Sequence, residues 1–275
     1  MSGRTSLADF LDRDDAVVRV AIEDVRGSSP RNVGTMMFVS ARAILGTIGG
    51  GQLEYMAIDQ ARALLRSGRE TAEMDVPLGP EIGQCCGGRV RILLDRLDDE
   101  MRSAALAREQ AERAAWPQVL IFGAGHVGRE LAHCFERLPV RAVLIDSREA
   151  EMETCRASIE KRLVALPEAE IRAAAPGSAF VVLTHDHALD FLLVSEALAR
   201  PDAAYVGMIG SATKRAKLAR FCKDLSPPPD LRKLTCPIGQ TGSSDKRPEV
   251  IAAFVAAEIM EALTIVATKR TRSVP

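Results

Sequence analysis

The chain has 275 residues, 47% of them hydrophobic and 27% charged, with a formal net charge of -1. At roughly 100–200 residues per domain this length implies two domains, and the near-neutral charge gives no support for nucleic acid or a membrane surface as partner. Met1–Asp15 lacks the apolar core of a secretory signal, no apolar run approaches bilayer length, and six cysteines without CxxC spacing fit neither a disulfide scaffold nor a structural zinc site, so a cytoplasmic protein with reduced thiols is expected.

Ser6–Arg13 is expected as a short helix capped by Ser6, and Ala16–Val25 alternates as a strand. Gly27-Ser28-Ser29-Pro30-Arg31-Asn32-Val33-Gly34 is a dense run of turn formers. It carries Arg31, a candidate partner for a phosphate or carboxylate. Thr35–Val39 is a second strand, and Ala43–Leu45 is a short apolar run entering Gly46-Thr47-Ile48-Gly49-Gly50-Gly51-Gln52-Leu53-Glu54. A helix with apolar residues at helical spacing follows, from Tyr55 to Leu65. Glycine permits positive φ and lets a ligand approach the main chain, and a helix start presents free N–H groups to an anion. Gly49, Gly50 and Gly51 are therefore a candidate anion cradle, for a phosphate before other anions; the alternative is a tight turn where two backbones pass closely.

Glu70–Val76 and Arg89–Asp95 read as strands on either side of a glycine-bounded segment that includes Gln84-Cys85-Cys86-Gly87-Gly88. Cysteine in such a loop is more accessible than a packed one, and neighbouring N–H groups stabilise a thiolate; the alternative is a pair of small packed side chains. Asp98–Ala115 is charged, alanine-rich and helical. The expected organisation is a first domain over 1–97, a helical linker over 98–117 and a second domain over 118–275.

The second half opens with the apolar strand Val119–Phe122, which runs into Gly123-Ala124-Gly125-His126-Val127-Gly128. A helix from Arg129 to Leu138 and a strand from Arg141 to Ile145 follow, ending in Asp146. GxGxxG between strand and helix, with an acidic residue about 20 positions on, is the context of a dinucleotide-binding turn. The same glycines also serve helix–strand packing, so a Rossmann-like fold follows more firmly than a bound dinucleotide. Ala179–Leu183 and Ala204–Met208 continue the strands, Leu189–Ala199 supplies a helix between them, Leu234–Gly239 is a short last strand and turn, and Pro248–Leu263 is a final helix. Strands alternating with helices imply a parallel sheet covered on both faces. The fold class is thus α/β, a smaller α+β domain followed by a Rossmann-like parallel-sheet domain.

His185, Asp186 and His187 lie where ligands bind in such sheets, outside the carboxyl ends of strands, with His126 at the neighbouring strand end. Orientation of loops by hydrogen bonding is the expected role, ahead of a metal site. Ser211 is placed to cap a helix carrying Lys214, Arg215 and Lys217. Positive charge near a helix N-terminus is unfavourable, so a negative group on a ligand or partner is expected to offset it, the alternative, given slightly more weight, being an ordinary solvated basic face.

Six stretches carry a family likeness: Gly27-Ser28-Ser29-Pro30-Arg31, Gly46–Glu54, Gly83–Gly88, Gly123–Gly128, Thr184–His187 and Gly207-Met208-Ile209-Gly210-Ser211. On these the chain resembles the xanthine dehydrogenase accessory proteins, the XdhC/CoxI family, from about residue 16 to 265. One departure is Gln240-Thr241-Gly242, where a more apolar continuation is expected. The resemblance implies a maturation factor that binds molybdenum cofactor, supports its sulfuration with a cysteine desulfurase, and delivers it to a xanthine dehydrogenase or related molybdenum hydroxylase subunit. It implies a carrier rather than a turnover enzyme, and a homo-oligomer is expected. By residue type, Arg31 and Gly49–Gly51 suit the cofactor's phosphate, Gln52, Glu54 and Gln84 its pterin edge, and Cys85 or Cys86 its soft metal centre. The rival reading is an NAD(P)-dependent oxidoreductase using Gly123, Gly125, His126, Gly128 and Asp146. A third is an interaction protein that binds no small molecule.

Overall fold

The computed structural model describes residues 6–29, 31–80, 87–240 and 245–272, with side chains through residue 265. The chain divides into two compact units, residues 4–111 and 112–275.

The first unit opens with helix α1 (Leu7–Arg13), started by a reciprocal cap. The Asp9 N–H donates to Ser6 Oγ at 3.0 Å and the Ser6 N–H to Asp9 Oδ2 at 3.2 Å. Strands β1 (Val17–Arg26), β2 (Met36–Ser40), β3 (Ile44–Gly46), β4 (Thr71–Pro77) and β5 (Arg89–Arg96) form one antiparallel sheet in the order β3-β2-β1-β5-β4. Alternation sorts its two faces. Val18, Val20 and Ile22 of β1, with Val90, Ile92 and Leu94 of β5, pack under helix α2 (Gly51–Ser67) through Leu53, Ala57, Ala61 and Leu64. Val17 and Phe38 join Leu7, Phe10 and Leu11 of α1 on another cluster. Helix α3 (Asp99–Ala114) lays Met101, Ala105 and Leu106 on that same cluster. Arg102 donates to the carbonyls of Leu11 and Asp14, each at 3.1 Å, and to that of Asp15. Most of the helix expected to link the domains is therefore part of the first unit.

The second unit holds six parallel strands, β6 (Gln118–Phe122), β7 (Arg141–Asp146), β8 (Glu160–Leu163), β9 (Ala179–Val182), β10 (Tyr205–Met208) and β11 (Leu234–Thr235), in the order β11-β10-β9-β6-β7-β8. On one face α4 (His126–Phe135) and α9 (Pro248–Arg272) cover Val119, Ile121, Leu144 and Val181. On the other, α6 (Glu168–Ala173), α7 (His187–Leu198) and α8 (Ala212–Lys223) cover Leu120, Phe122, Ile145 and Val182. Helix α5 (Glu149–Thr154) follows β7. The middle strands are apolar on both faces because both are covered. The strand order reverses between β6 and β9, which opens a crevice at the carboxyl ends of those strands, where such sheets bind ligands. Among the described residues no helix is long and apolar enough to cross a membrane.

Candidate functional site

In the first unit the three glycines after β3 all take positive φ: 133° at Gly49, 77° at Gly50 and 67° at Gly51. A side chain at Gly50 would meet nothing within 4 Å, so conformation rather than space demands glycine there. Three of the turn's backbone donors, at Ile48, Gly49 and Gly50, are already engaged, while the Gly51 N–H has no partner among the described residues. The N–H groups of Ile48 and Gly50 each donate to Glu54 Oε2 at 3.1 Å, joined by the Thr47 hydroxyl, and the Gly49 N–H donates to Thr47 Oγ1 at 3.2 Å. The turn does attract an anion, and that anion is the chain's own Glu54. Part of the expected cradle, at Ile48 and Gly50, is thus filled from within, and one oxygen of Glu54 closes the turn. Glu54→Ala removes the acceptor of three hydrogen bonds and is expected to destabilise the first unit by about 1–3 kcal/mol, with Glu54→Gln losing less. Urea unfolding followed by circular dichroism checks this; an unchanged midpoint for Glu54→Ala would show the carboxylate to be incidental.

Gln52 is exposed on the first turn of α2, and Arg31 is exposed after β1 with no ion-pair partner among the described residues. Gln84, Cys85 and Cys86 lie outside the described residues. Gly87, which follows them, bridges Ser28, and a side chain on Gly88 would stand 2.1 Å from the Ser28 carbonyl oxygen. The turn that carries Arg31 and the start of β5 are thereby held together.

In the second unit the glycine-rich turn divides its work. A Cβ on Gly123, whose φ is 117°, would lie 2.4 Å from the Leu183 carbonyl oxygen, and one on Gly128 would lie 1.9 Å from that of Gly123. These two glycines pack strand, turn and helix against one another. Gly125 is different, since a Cβ there would meet nothing within 4 Å. It borders a cleft of about 360 Å³, lined also by His126, Arg148, Glu151, Thr184 and His185. The N–H groups of Gly125, His126, Val127 and Gly128 have no partner among the described residues, so the start of α4 offers open donors to that cleft.

Asp146, expected to hold a ribose, is enclosed, with its side chain only 5% exposed. Oδ1 accepts from the Arg148 N–H at 2.9 Å and from Arg148 Nε at 3.0 Å. Oδ2 accepts from the Ala124 N–H at 2.7 Å and from Arg148 Nη2 at 2.8 Å. Burial pushes this carboxyl's pKa up, but the Arg148 hydrogen bonds and the two backbone donors outweigh it and bring it below 3.8. Because the folded value is the lower one, this stabilisation is complete above 3.8 and is lost as pH falls through the folded value. Arg148 Nη1 stands 3.6 Å from Glu151 Oε1, and the other oxygen of Glu151 takes Arg129 Nη1 at 2.5 Å.

A second cleft, of about 410 Å³, adjoins the first through Thr184 and Ile209 and is lined also by His187, Phe191, Ser211, Lys214 and Lys217. Its wall contains an ion pair that sequence reading missed. Asp190, fully buried, accepts from the Thr184 N–H at 3.0 Å and the Thr184 hydroxyl at 2.7 Å, while its other oxygen takes Lys214 Nζ. The negative group expected to offset the basic helix start is therefore Asp190, inside the unit. Arg215 is also engaged, donating to the carbonyls of Leu234 at 2.9 Å and Leu231 at 3.0 Å. Ser211 caps α8 as expected, accepting from the Lys214 N–H at 3.3 Å. Asp186 caps α7 through the Ala188 N–H at 2.8 Å. His126 and His185 line the first cleft and His187 the second, all three exposed. Among the described residues no group of three His, Cys, Asp or Glu side chains could hold a metal ion.

An antiparallel α+β unit followed by a Rossmann-type unit with an open glycine turn defines a two-domain protein of the nucleotide-fold class. The XdhC and CoxI family matches residues 10–75 and the XdhC Rossmann domain matches residues 119–259, so the chain belongs to the XdhC family. It is 24% identical over 271 residues to the uncharacterized protein YqeB of Escherichia coli (strain K12), covering 94% of this chain and 45% of that protein. The chain thus spans less than half the length of that relative. A solved structure described as a xanthine dehydrogenase from Bacillus halodurans superposes with a TM-score of 0.77 at 19% identity, over 96% of each chain. At that identity the likeness speaks for the fold.

Proposed function

We propose that the protein is an accessory factor for xanthine dehydrogenase-type molybdenum hydroxylases, which binds molybdenum cofactor, supports its sulfuration by a cysteine desulfurase and delivers it to the apo-enzyme. The observation that carries this reading is the presence of both XdhC-family domains in one chain. The dehydrogenase alternative needs an acidic residue open to a ribose, and Asp146 has all four of its hydrogen bonds made within the protein.

The residues present suit such a cofactor unevenly. The glycine turn of the first unit suits a phosphate less well, because the Glu54 carboxylate already holds the N–H groups of Ile48 and Gly50 and leaves that of Gly51. The start of α4 does fit one, with open backbone donors and free space beside Gly125. Bound cofactor would supply a soft, sulfur-rich metal centre, for which thiolate is the matching side chain. Cys85 and Cys86 are the proposed thiolates; adjacent side chains diverge, so one is expected to face the metal, Cys86 ahead of Cys85. Arg31, Gln52 and Gln84 are the proposed polar contacts.

The test is molybdenum and pterin analysis of protein purified from a cofactor-producing host, together with activation of an apo-hydroxylase. Both molybdenum and pterin are expected in the purified protein; their absence, with no activation, would overturn the reading. Among Cys85→Ser and Cys86→Ser, one is expected to lose most of the bound molybdenum and the other little, with circular dichroism unchanged. Full retention in the double variant would make these thiols structural.

A further inference from the structure

We infer that Arg148 sets the specificity of the cleft beside Gly125, closing it to ligands that must place a ribose diol on Asp146 and leaving it open to a phosphate-bearing ligand without one. In a Rossmann-type unit the acidic residue ending the second strand accepts from the ribose hydroxyls of the dinucleotide. Asp146 ends that strand here, yet each of its oxygens already accepts two hydrogen bonds, and a carboxylate oxygen has room for about two. Two of the four come from the guanidinium of Arg148 as a bidentate, charge-assisted pair. A diol could reach the carboxylate only by displacing that guanidinium.

Arg148 is also a poor receptor for the 2′-phosphate of NADP. Nε and Nη2 are on Asp146, and Nη1 faces Glu151. The carboxylates of Asp146 and Glu151 therefore balance the guanidiniums of Arg148 and Arg129, and the cluster has no net positive charge to hold a phosphate. The donors at the start of α4 are untouched by this arrangement. The cleft thus keeps its phosphate end and loses its ribose end.

Titration of NADH and of NADPH into the purified full chain, by calorimetry or nicotinamide fluorescence, tests this. Wild type is expected to bind both weakly. Arg148→Ala is expected to bind NADH about tenfold or more tightly than wild type, the size of one hydrogen bond to a charged group. That gain should vanish in Arg148→Ala/Asp146→Asn, a dependence that a general loosening of the unit would not produce. Arg148→Met, which keeps most of the side-chain stem, should show the same gain and serves if the alanine variant melts early. Tight binding of either nucleotide by wild type would overturn the assignment, as would folded Arg148 variants with no gain, or a gain that survives loss of the Asp146 charge. Molybdenum plays no part in the measurement, so failure of the accessory-factor reading would leave its result standing.

Discussion

Gly128→Ala is expected to unfold the second unit or to cost it more than about 4 kcal/mol, at the exceptional end for one methyl group. The added Cβ would sit 1.9 Å from the carbonyl oxygen of Gly123, and 3.0 Å from both its carbonyl carbon and Leu183 Cδ1. The closest atoms are backbone, so no rotamer change relieves the clash; α4 would have to lift from the turn. That would open the packing of Leu131, Ala132 and Phe135 in the core they share with Val119, Ile121 and Leu144. Gly125→Ala, in the same turn, is the control. Its φ of -66° suits any residue and its Cβ would meet nothing within 4 Å, so it should fold with a stability within about 1 kcal/mol of wild type. Denaturation of both variants checks the contrast. A Gly128→Ala protein as stable as Gly125→Ala would show that the turn is not packed as described.

The contrast also shows what the sequence could disclose. GxGxxG between an apolar strand and a helix was enough to place the Rossmann-like unit, since Val119–Phe122 and Ala179–Leu183 are apolar runs that only a doubly covered sheet explains. It could not divide the glycines into two that pack and one that faces open space, because that depends on Leu183, far along the chain. The elements between Asp146 and Ala179 escaped notice for a different reason. Strand β8 is a four-residue edge strand, Glu160-Lys161-Arg162-Leu163, and α5 and α6 have six residues each, too short and too charged for a periodic signal. In the glycine turn of the first unit the chemistry was legible and the actor was not. Donors that seek an anion were recognised, but Glu54 supplies it from four to seven residues on. Asp146 and Arg148 are only two residues apart, yet nothing local says that the guanidinium folds back onto the carboxylate. Asp190 gave no signal at all: in the first turn of α7 it reads as an ordinary favourable acid, and its partner Lys214 is 24 residues away.

That pair supports the second large effect. Lys214→Met is expected to destabilise the second unit by about 3–5 kcal/mol, the cost of stranding a buried charge without its partner. Asp190 is fully buried, the Lys214 side chain is only 11% exposed, and a Cβ on Gly210 would stand 2.8 Å from Lys214 Cδ, so the turn leaves room for the lysine stem. Methionine fills much of that stem's space and removes the ammonium alone. Asp190→Asn should cost less, because its side-chain oxygen can keep the Thr184 N–H and hydroxyl while the ammonium turns toward the adjoining cleft. The two changes touch one contact and should not add: Asp190→Asn/Lys214→Met is expected to be more stable than Lys214→Met alone, with a coupling of about 0.5–3 kcal/mol. Urea unfolding of the four proteins supplies the cycle. Additive costs, or a double variant less stable than either single one, would mean that Asp190 and Lys214 do not depend on each other, and the buried pair would lose its place as the element joining α7 to α8.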